Sequence, residues 1–262
     1  MLTFGSLFAG IGGLDLGLER AGMSCRWQVE IDDYGRRVLA KHWPDIPRHG
    51  DIKTFPVEAE FDTAVDLICG GFPCQDISFA GKGAGLDGER SGLFYELTRV
   101  VREVGPRFVL LENVAALLVR GLDDVLGTLA EIGYNAEWHC IPAASVGAPH
   151  IRDRVFIIAM ANTNSQRYRR PERDWRAGQL GFINGGPGVP NGRAGCSVHS
   201  SEQAEGCETV GDRWWSVEPA VGRVAHGVPA RVDRLRCLGN AVVPQVAEFI
   251  GRAIMQSVQN NG

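Results

Sequence analysis

Along the first 160 or so residues, short apolar runs alternate with apolar stripes at helical spacing. Residues 3–8 (TFGSLF) predict a strand that runs straight into the turn Ala9-Gly10-Ile11-Gly12-Gly13. Leu14, Leu18 and Ala21 then recur as the inner face of a helix. Residues 24–29 and 65–69 predict two further strands, and residues 107–111 a fourth. Between the last two, Leu93, Phe94, Leu97, Val100, Val101 and Val104 form an apolar stripe that predicts a crossover helix, closed by Gly105-Pro106. Val125, Leu126, Leu129 and Ile132 predict another helix. Residues 135–141 and 155–159 predict two more strands, joined by Gly147 to Arg154. Strands alternating with helices predict an α/β domain built on a largely parallel sheet.

Two stretches break this rhythm. Residues 81–92 (GKGAGLDGERSG) are too polar and glycine-rich for a packed element, and read as a substrate clamp because strong elements flank them. From about Ala161 to residue 230 the apolar periodicity fades, while glycine, arginine and the tryptophans Trp175, Trp214 and Trp215 are interspersed. A disordered linker and a small loop-rich recognition domain both fit such a stretch, and the tryptophans favour the second. Arg234 to Pro244 then leads into a last helix, with Val246, Phe249, Ile250, Ala253 and Ile254 on one face. That helix needs the α/β core to pack on, so the expected domains are 1–160 plus 231–262, with 161–230 inserted between them.

The chain has 262 residues and a net charge of -4, which argues against indiscriminate binding of nucleic acid. Its basic residues are nonetheless almost all arginine, with lysine only at Lys41, Lys53 and Lys82. Arginine's planar fork suits phosphates and guanine edges, so a DNA partner is permitted. The seven cysteines are scattered without a CxxC pair, which predicts free thiols and no metal. No apolar run approaches the roughly 20 residues needed to span a bilayer, and the N-terminus lacks the basic start of a signal peptide. The expected location is the cytoplasm.

Candidate chemistry gathers where strands end. A glycine turn between a strand and a helix, followed 17 residues after Gly13 by Glu30 at the end of the next strand, is the pattern of a nucleotide-type cofactor site. Asp51-Ile52 supplies a further wall. The third strand leads into GGFPCQDIS (70–78), where a sharp exit would lift the Cys74 thiol clear of the sheet as a nucleophile. The fourth strand ends in Glu112-Asn113-Val114 on the same sheet edge, so Glu112 is expected to face Cys74. Arg152 and Arg154 alternate along an extended segment and are expected on one face, with Ile151 and Val155 on the buried side.

In this order, FAGIGG (8–13), Glu30, Asp51-Ile52, GFPCQ (71–75), ENV (112–114), HIRDR (150–154) and GNAVVP (239–244) resemble the DNA cytosine-5 methyltransferases of bacterial or phage type. The resemblance implies a Rossmann-like S-adenosylmethionine-dependent fold with a small irregular target-recognition domain before the C-terminal helix. It implies methylation of C5 of a flipped cytosine in duplex DNA. Cys74, Glu112, Arg154 and Arg152 would be catalytic. Phe8, Gly10, Gly12, Gly13, Glu30, Asp51, Ile52 and Asn240 would bind S-adenosyl-L-methionine, and Pro73, Gln75, Ser78 and Asn113 would bind substrate, with no metal. It further implies a monomer at the bacterial nucleoid, in a restriction-modification system whose endonuclease is not physically bound. His150 stands where the family usually has glutamine, and the stretch before the GN motif is short. Methylation of RNA and a catalytically inactive DNA-binding relative are the competing readings. A nicotinamide-dependent oxidoreductase would leave Cys74 and ENV unexplained.

Overall fold

The computed structural model describes residues 1–56, 63–73, 92–162 and 230–260. Its strands are β1 (Thr3–Leu7), β2 (Ser24–Val29), β3 (Arg48–His49), β4 (Leu67–Gly71), β5 (Phe108–Val114), β6 (Tyr134–Pro142) and β7 (Asp153–Ala161). They form one sheet in the order β3-β2-β1-β4-β5-β7-β6. β1 to β5 run parallel, while β7 lies antiparallel to both β5 and β6. The chain winds outward from β1 through β2 to β3, then returns to start again at β4. The crevice beyond the ends of β1 and β4 is therefore the topological switch point of the sheet, where ligands of open α/β folds bind.

Strict alternation along the strands divides the core in two. Leu7, Ile68, Val109, Leu111 and Ile157 face one side, against α3 (Gly92–Val104) and α5 (Leu122–Glu131). Phe4, Leu67, Cys69, Leu110 and Phe156 face the other, against α1 (Gly13–Arg20) and α7 (Pro244–Asn260). Helix α2 (Asp33–His42) follows β2, and the short α4 (Leu117–Arg120) precedes α5. Helix α7 packs on α1 although the two lie at opposite ends of the chain. A Cβ at Gly17 would stand 2.3 Å from the Pro244 carbonyl oxygen, so only glycine there admits so close an approach.

Several sequence expectations shift. The strand expected at 65–69 is paired over Leu67–Gly71, which carries the sheet to the threshold of the cysteine turn. The fourth strand reaches Val114, so Glu112 and Asn113 are ladder residues. On α7 the buried face is Val246, Ala247, Ile250, Gly251 and Ile254; Phe249 is exposed, because α1 contacts the side marked by Ala247 and Gly251. Residues 231–240, read only as an approach to the last helix, form a helix of their own, α6 (Arg231–Asn240). The extended, co-facial arrangement expected of the two arginines does not occur. Arg152 has φ 39, in the left-handed region, and Ile151 is exposed instead of buried. Cys25, Cys69 and Cys237 are free thiols as expected, whereas Cys140 is disulfide-bonded. The glycine-rich stretch 81–91, and nearly all of the recognition domain expected at 161–230 with Trp175, Trp214 and Trp215, lie outside the described residues.

Candidate active site

A cavity of about 660 Å³ opens at the switch point. The turn after β1 forms its floor. Phe8 and Gly10 both take left-handed backbone angles, φ 53 and 58, and this turns the Gly10 amide toward the end of β2. There Glu30 Oε2 accepts from Gly10 N at 2.7 Å, and Oε1 accepts from Asp32 N at 2.7 Å. The carboxylate is thus held by two backbone amides, with lone pairs left for a hydroxyl-bearing ligand. Asp51 caps the short turn Ile52–Thr54, accepting from Lys53 N at 3.0 Å, and so sets Ile52 in the adjoining wall.

Of the eight residues expected to bind a cofactor, Phe8, Gly10, Gly13, Glu30, Asp51, Ile52 and Asn240 line this cavity. Gly12 does not. It caps α1 at φ 84 and backs onto Trp43, where a Cβ would lie 2.4 Å from the indole. Residues not expected at the site also line it, among them Ile31, Asp32, Leu93 and Arg236. The sequence carried a signal for the last: Arg236 stands one helical turn before Asn240.

The far end of the cavity carries a carboxyl group. Glu112 is buried at 8% exposure, paired across the sheet with Gly71 on β4 and Phe156 on β7. A Cβ on Gly71 would stand 3.0 Å from Glu112 Oε2, so the glycine leaves the space that the carboxyl occupies. Arg154 Nε approaches Glu112 Oε1 at 3.0 Å. Burial pushes the Glu112 pKa above the ordinary carboxyl range, and Arg154, then Arg152, pull partly against it.

Asn113 and Arg152 are placed differently from expectation. The Asn113 amide donates to Phe72 O at 3.1 Å, while its Oδ1 accepts from Val114 N at 2.8 Å. Its side chain therefore fixes the strand exit rather than reaching for a substrate, although the residue borders the cavity. Arg152 turns away from Arg154 and donates to Gly239 O at 2.9 Å and Ala241 O at 2.6 Å, bracketing Asn240. It lines a second cavity of about 630 Å³ with Gly12, Trp43, His150 and Leu238. His150 therefore faces that cavity. Pro73 lies at the rim of the first, whereas Cys74, Gln75 and Ser78 lie outside the described residues. Among the described residues no cluster of three metal-binding side chains occurs, and no helix is long and apolar enough to cross a membrane.

The family model for C-5 cytosine-specific DNA methylase matches residues 2–185. The chain belongs to this family. Type II methyltransferase M2.BsuMI of Bacillus subtilis (strain 168) is 28% identical over 299 residues, which covers 96% of this chain and 75% of that protein. Type II methyltransferase M.HhaI of Haemophilus parahaemolyticus is 34% identical over 181 residues, covering 65% of this chain and 53% of that one. The chain thus spans about half the length of the second relative. Among solved structures, a prophage-encoded DNA modification methyltransferase from E. coli superposes with a TM-score of 0.52 at 29% identity, covering 62% of this chain and 47% of that chain. The S. pombe Dnmt2 methyltransferase superposes at 0.53 with 21% identity over 67% of this chain and 62% of its own, a likeness of fold.

The cytosine-5 methylase family takes its methyl group from S-adenosylmethionine, and the first cavity suits such a ligand. Its volume falls within the roughly 300–1,000 Å³ typical of cofactor sites. Phe8, Ile31, Ile52 and Leu93 offer apolar surface to a base, Glu30 offers acceptors to ribose hydroxyls, and the turn at Gly10 is open. Glu112 lines the same cavity.

Proposed function

We propose that this chain methylates C5 of cytosine in duplex DNA, with S-adenosylmethionine as methyl donor. The observation that carries the reading is the buried Glu112 carboxyl, paired with Arg154 and sharing one cavity with the Gly10–Glu30 cradle and the Pro73 turn that leads to Cys74. Phe8, Gly10, Gly13, Glu30, Asp51, Ile52 and Asn240 hold the cofactor, which supplies an electrophilic methyl group. Cytosine C5 is too weak a nucleophile to take that group unaided. In this mechanism the Cys74 thiolate forms a bond to C6 while Glu112 donates its proton at N3, and the displaced π pair makes C5 an enamine carbon. After the methyl group is received, the C5 proton leaves to solvent and the Cys74–C6 bond breaks. The C5–C6 double bond re-forms and the N3 proton returns to Glu112.

Arg154 holds the Glu112 carboxyl at the ring edge. Asn113, through Phe72 O, keeps the backbone entering Pro73 and Cys74 in register. Since C6 is covered in a stacked duplex, the cytosine must be flipped into the cavity. Pro73, Gln75 and Ser78 then contact the flipped base, and residues 161–230 read the surrounding sequence through arginines in the major groove. The enzyme works as a monomer at the nucleoid, alongside an endonuclease it does not bind.

The test is covalent capture on duplex DNA containing 5-fluorocytosine, where the missing C5 proton traps the adduct. Wild type is expected to form a cofactor-dependent adduct and Cys74→Ala none. Labelled methyl transfer is expected to duplex DNA and not to transfer RNA. An adduct that survives Cys74→Ala, or transfer to RNA alone, overturns the reading.

A further inference from the structure

Helix α6 is built unlike its neighbours. Short helices are ordinarily stabilised by an apolar face packed on the core. None of the side chains described on α6 is buried, and its apolar residues Val232, Leu235 and Leu238 are all exposed. Yet α6 helps to wall the cavity through Arg236, Cys237 and Asn240. Polar ties hold it there. Arg236 pairs with Asp32 across 204 positions of sequence, and Arg152 donates to the carbonyls of Gly239 and Ala241 at the far end.

Asp32 belongs to the cradle itself. Its backbone amide donates to Glu30 Oε1 at 2.7 Å, and its Oδ1 accepts from Gly35 N at 2.9 Å to cap α2. Oδ2 is the atom that meets Arg236. The ion pair therefore joins the cradle, on the N-terminal half of the chain, to a wall supplied by the C-terminal part.

We propose that Arg236 is a positioning residue for the methyl donor: paired with Asp32, it holds α6 across the cavity and sets how long the cofactor stays. This inference rests on the reading of the cavity as the S-adenosylmethionine site. Release of the bound donor requires α6 to swing away; no described side chain of the helix is buried to resist that motion, and once the pair is broken only the Arg152 bonds to the carbonyls of Gly239 and Ala241 hold it. Arg236 and Asp32 both retain contact with solvent, so the pair is screened by salt and moderate in strength.

Asp32→Asn is the informative partner variant, because asparagine caps a helix about as well as aspartate while removing the charge. Binding of S-adenosylmethionine by calorimetry and its release by stopped flow are measured on the full chain. Arg236→Gln is expected to weaken binding about fivefold, mostly through faster release, which is the upper end for a partly exposed ion pair. Asp32→Asn is expected to match it, the double variant to add nothing further, and Arg236→Lys to recover part of the loss. Steady-state kinetics should show the loss chiefly in KM for the cofactor. The wild-type constant should also weaken with added salt more steeply than that of Arg236→Gln. Unchanged binding in Arg236→Gln, additive losses in the double variant, or a loss confined to DNA binding would overturn the proposal. A wild type that binds no S-adenosylmethionine would instead sink the reading of the cavity itself.

Discussion

Two buried carboxyl groups in this chain show how residue chemistry follows from placement. Glu112 lies beside Arg154 and opens onto the cavity, and burial keeps it protonated to higher pH than an ordinary carboxyl. A step that needs its acid form should slow as pH rises through that raised pKa. Glu112→Gln should lose about 10²–10⁴-fold in methylation rate, the usual contribution of a positioned acid, while DNA retention in a gel-shift assay stays near wild type. Asp15 is different: it has no access to the cavity. It is fully buried on α1, where Ser6 Oγ donates at 2.9 Å and Gln28 Nε2 at 2.7 Å, and burial raises its pKa from 3.8 to about 6. Between those values the folded state keeps a proton that the unfolded state has lost, so stability falls as pH rises from about 4 toward 6 and stays lower above. Against Asp15→Asn, which cannot ionise, wild type should lose on the order of 2 kcal/mol between pH 4 and pH 7.5, read from urea denaturation at both. A constant difference between the two proteins would show that folding leaves the Asp15 pKa unshifted. Nothing in the sequence marked Asp15, because a carboxylate in the first turn of a helix looks like an ordinary exposed one.

At the scale of elements, the instructive case is the segment entering β7. Arg152 and Arg154 stand two apart, which in an extended chain places them on one face and suggests one task. The left-handed backbone at Arg152 breaks that geometry. Arg154 opposes Val114 on β5 and reaches Glu112, while Arg152 reaches the carbonyls that flank Asn240. One short segment thereby touches both Glu112 and the residues flanking Asn240 at the cavity wall. Arg154→Ala should depress adduct formation on 5-fluorocytosine DNA at saturating cofactor. Arg152→Met should chiefly raise KM for S-adenosylmethionine, and equal losses of adduct in both would refute this division. The β1 turn and Glu30 were legible in the sequence because their spacing is local: a strand, three glycines, a helix and the end of the next strand. The divergence of the arginines was not, since it depends on carbonyls 87 and 89 positions away.

At the scale of the molecule, the C-terminal helix closes the fold. Helix α7 lies on α1 through Val246, Ala247, Ile250 and Ile254, and by docking there it fixes where the preceding residues Asn240 to Val242 meet the cavity. Ile254→Ala should cost about 2–5 kcal/mol of stability in urea denaturation, since Ile254 is fully buried between the sheet and α1. The sequence did not mark β3, α2, α4 or α6, but most strands of the sheet, the crossover helix, the acidic strand ends and the family motifs follow from it by itself. Each rests on spacing within a few tens of residues, where backbone geometry leaves few choices. Tertiary structure alone decided that Gly12 backs onto Trp43, that Asn113 secures Phe72, that Phe249 faces outward, and that Arg236 crosses to Asp32. These depend on which surfaces meet when distant segments pack, and a linear pattern records a residue's local period but not the partner that will stand opposite it.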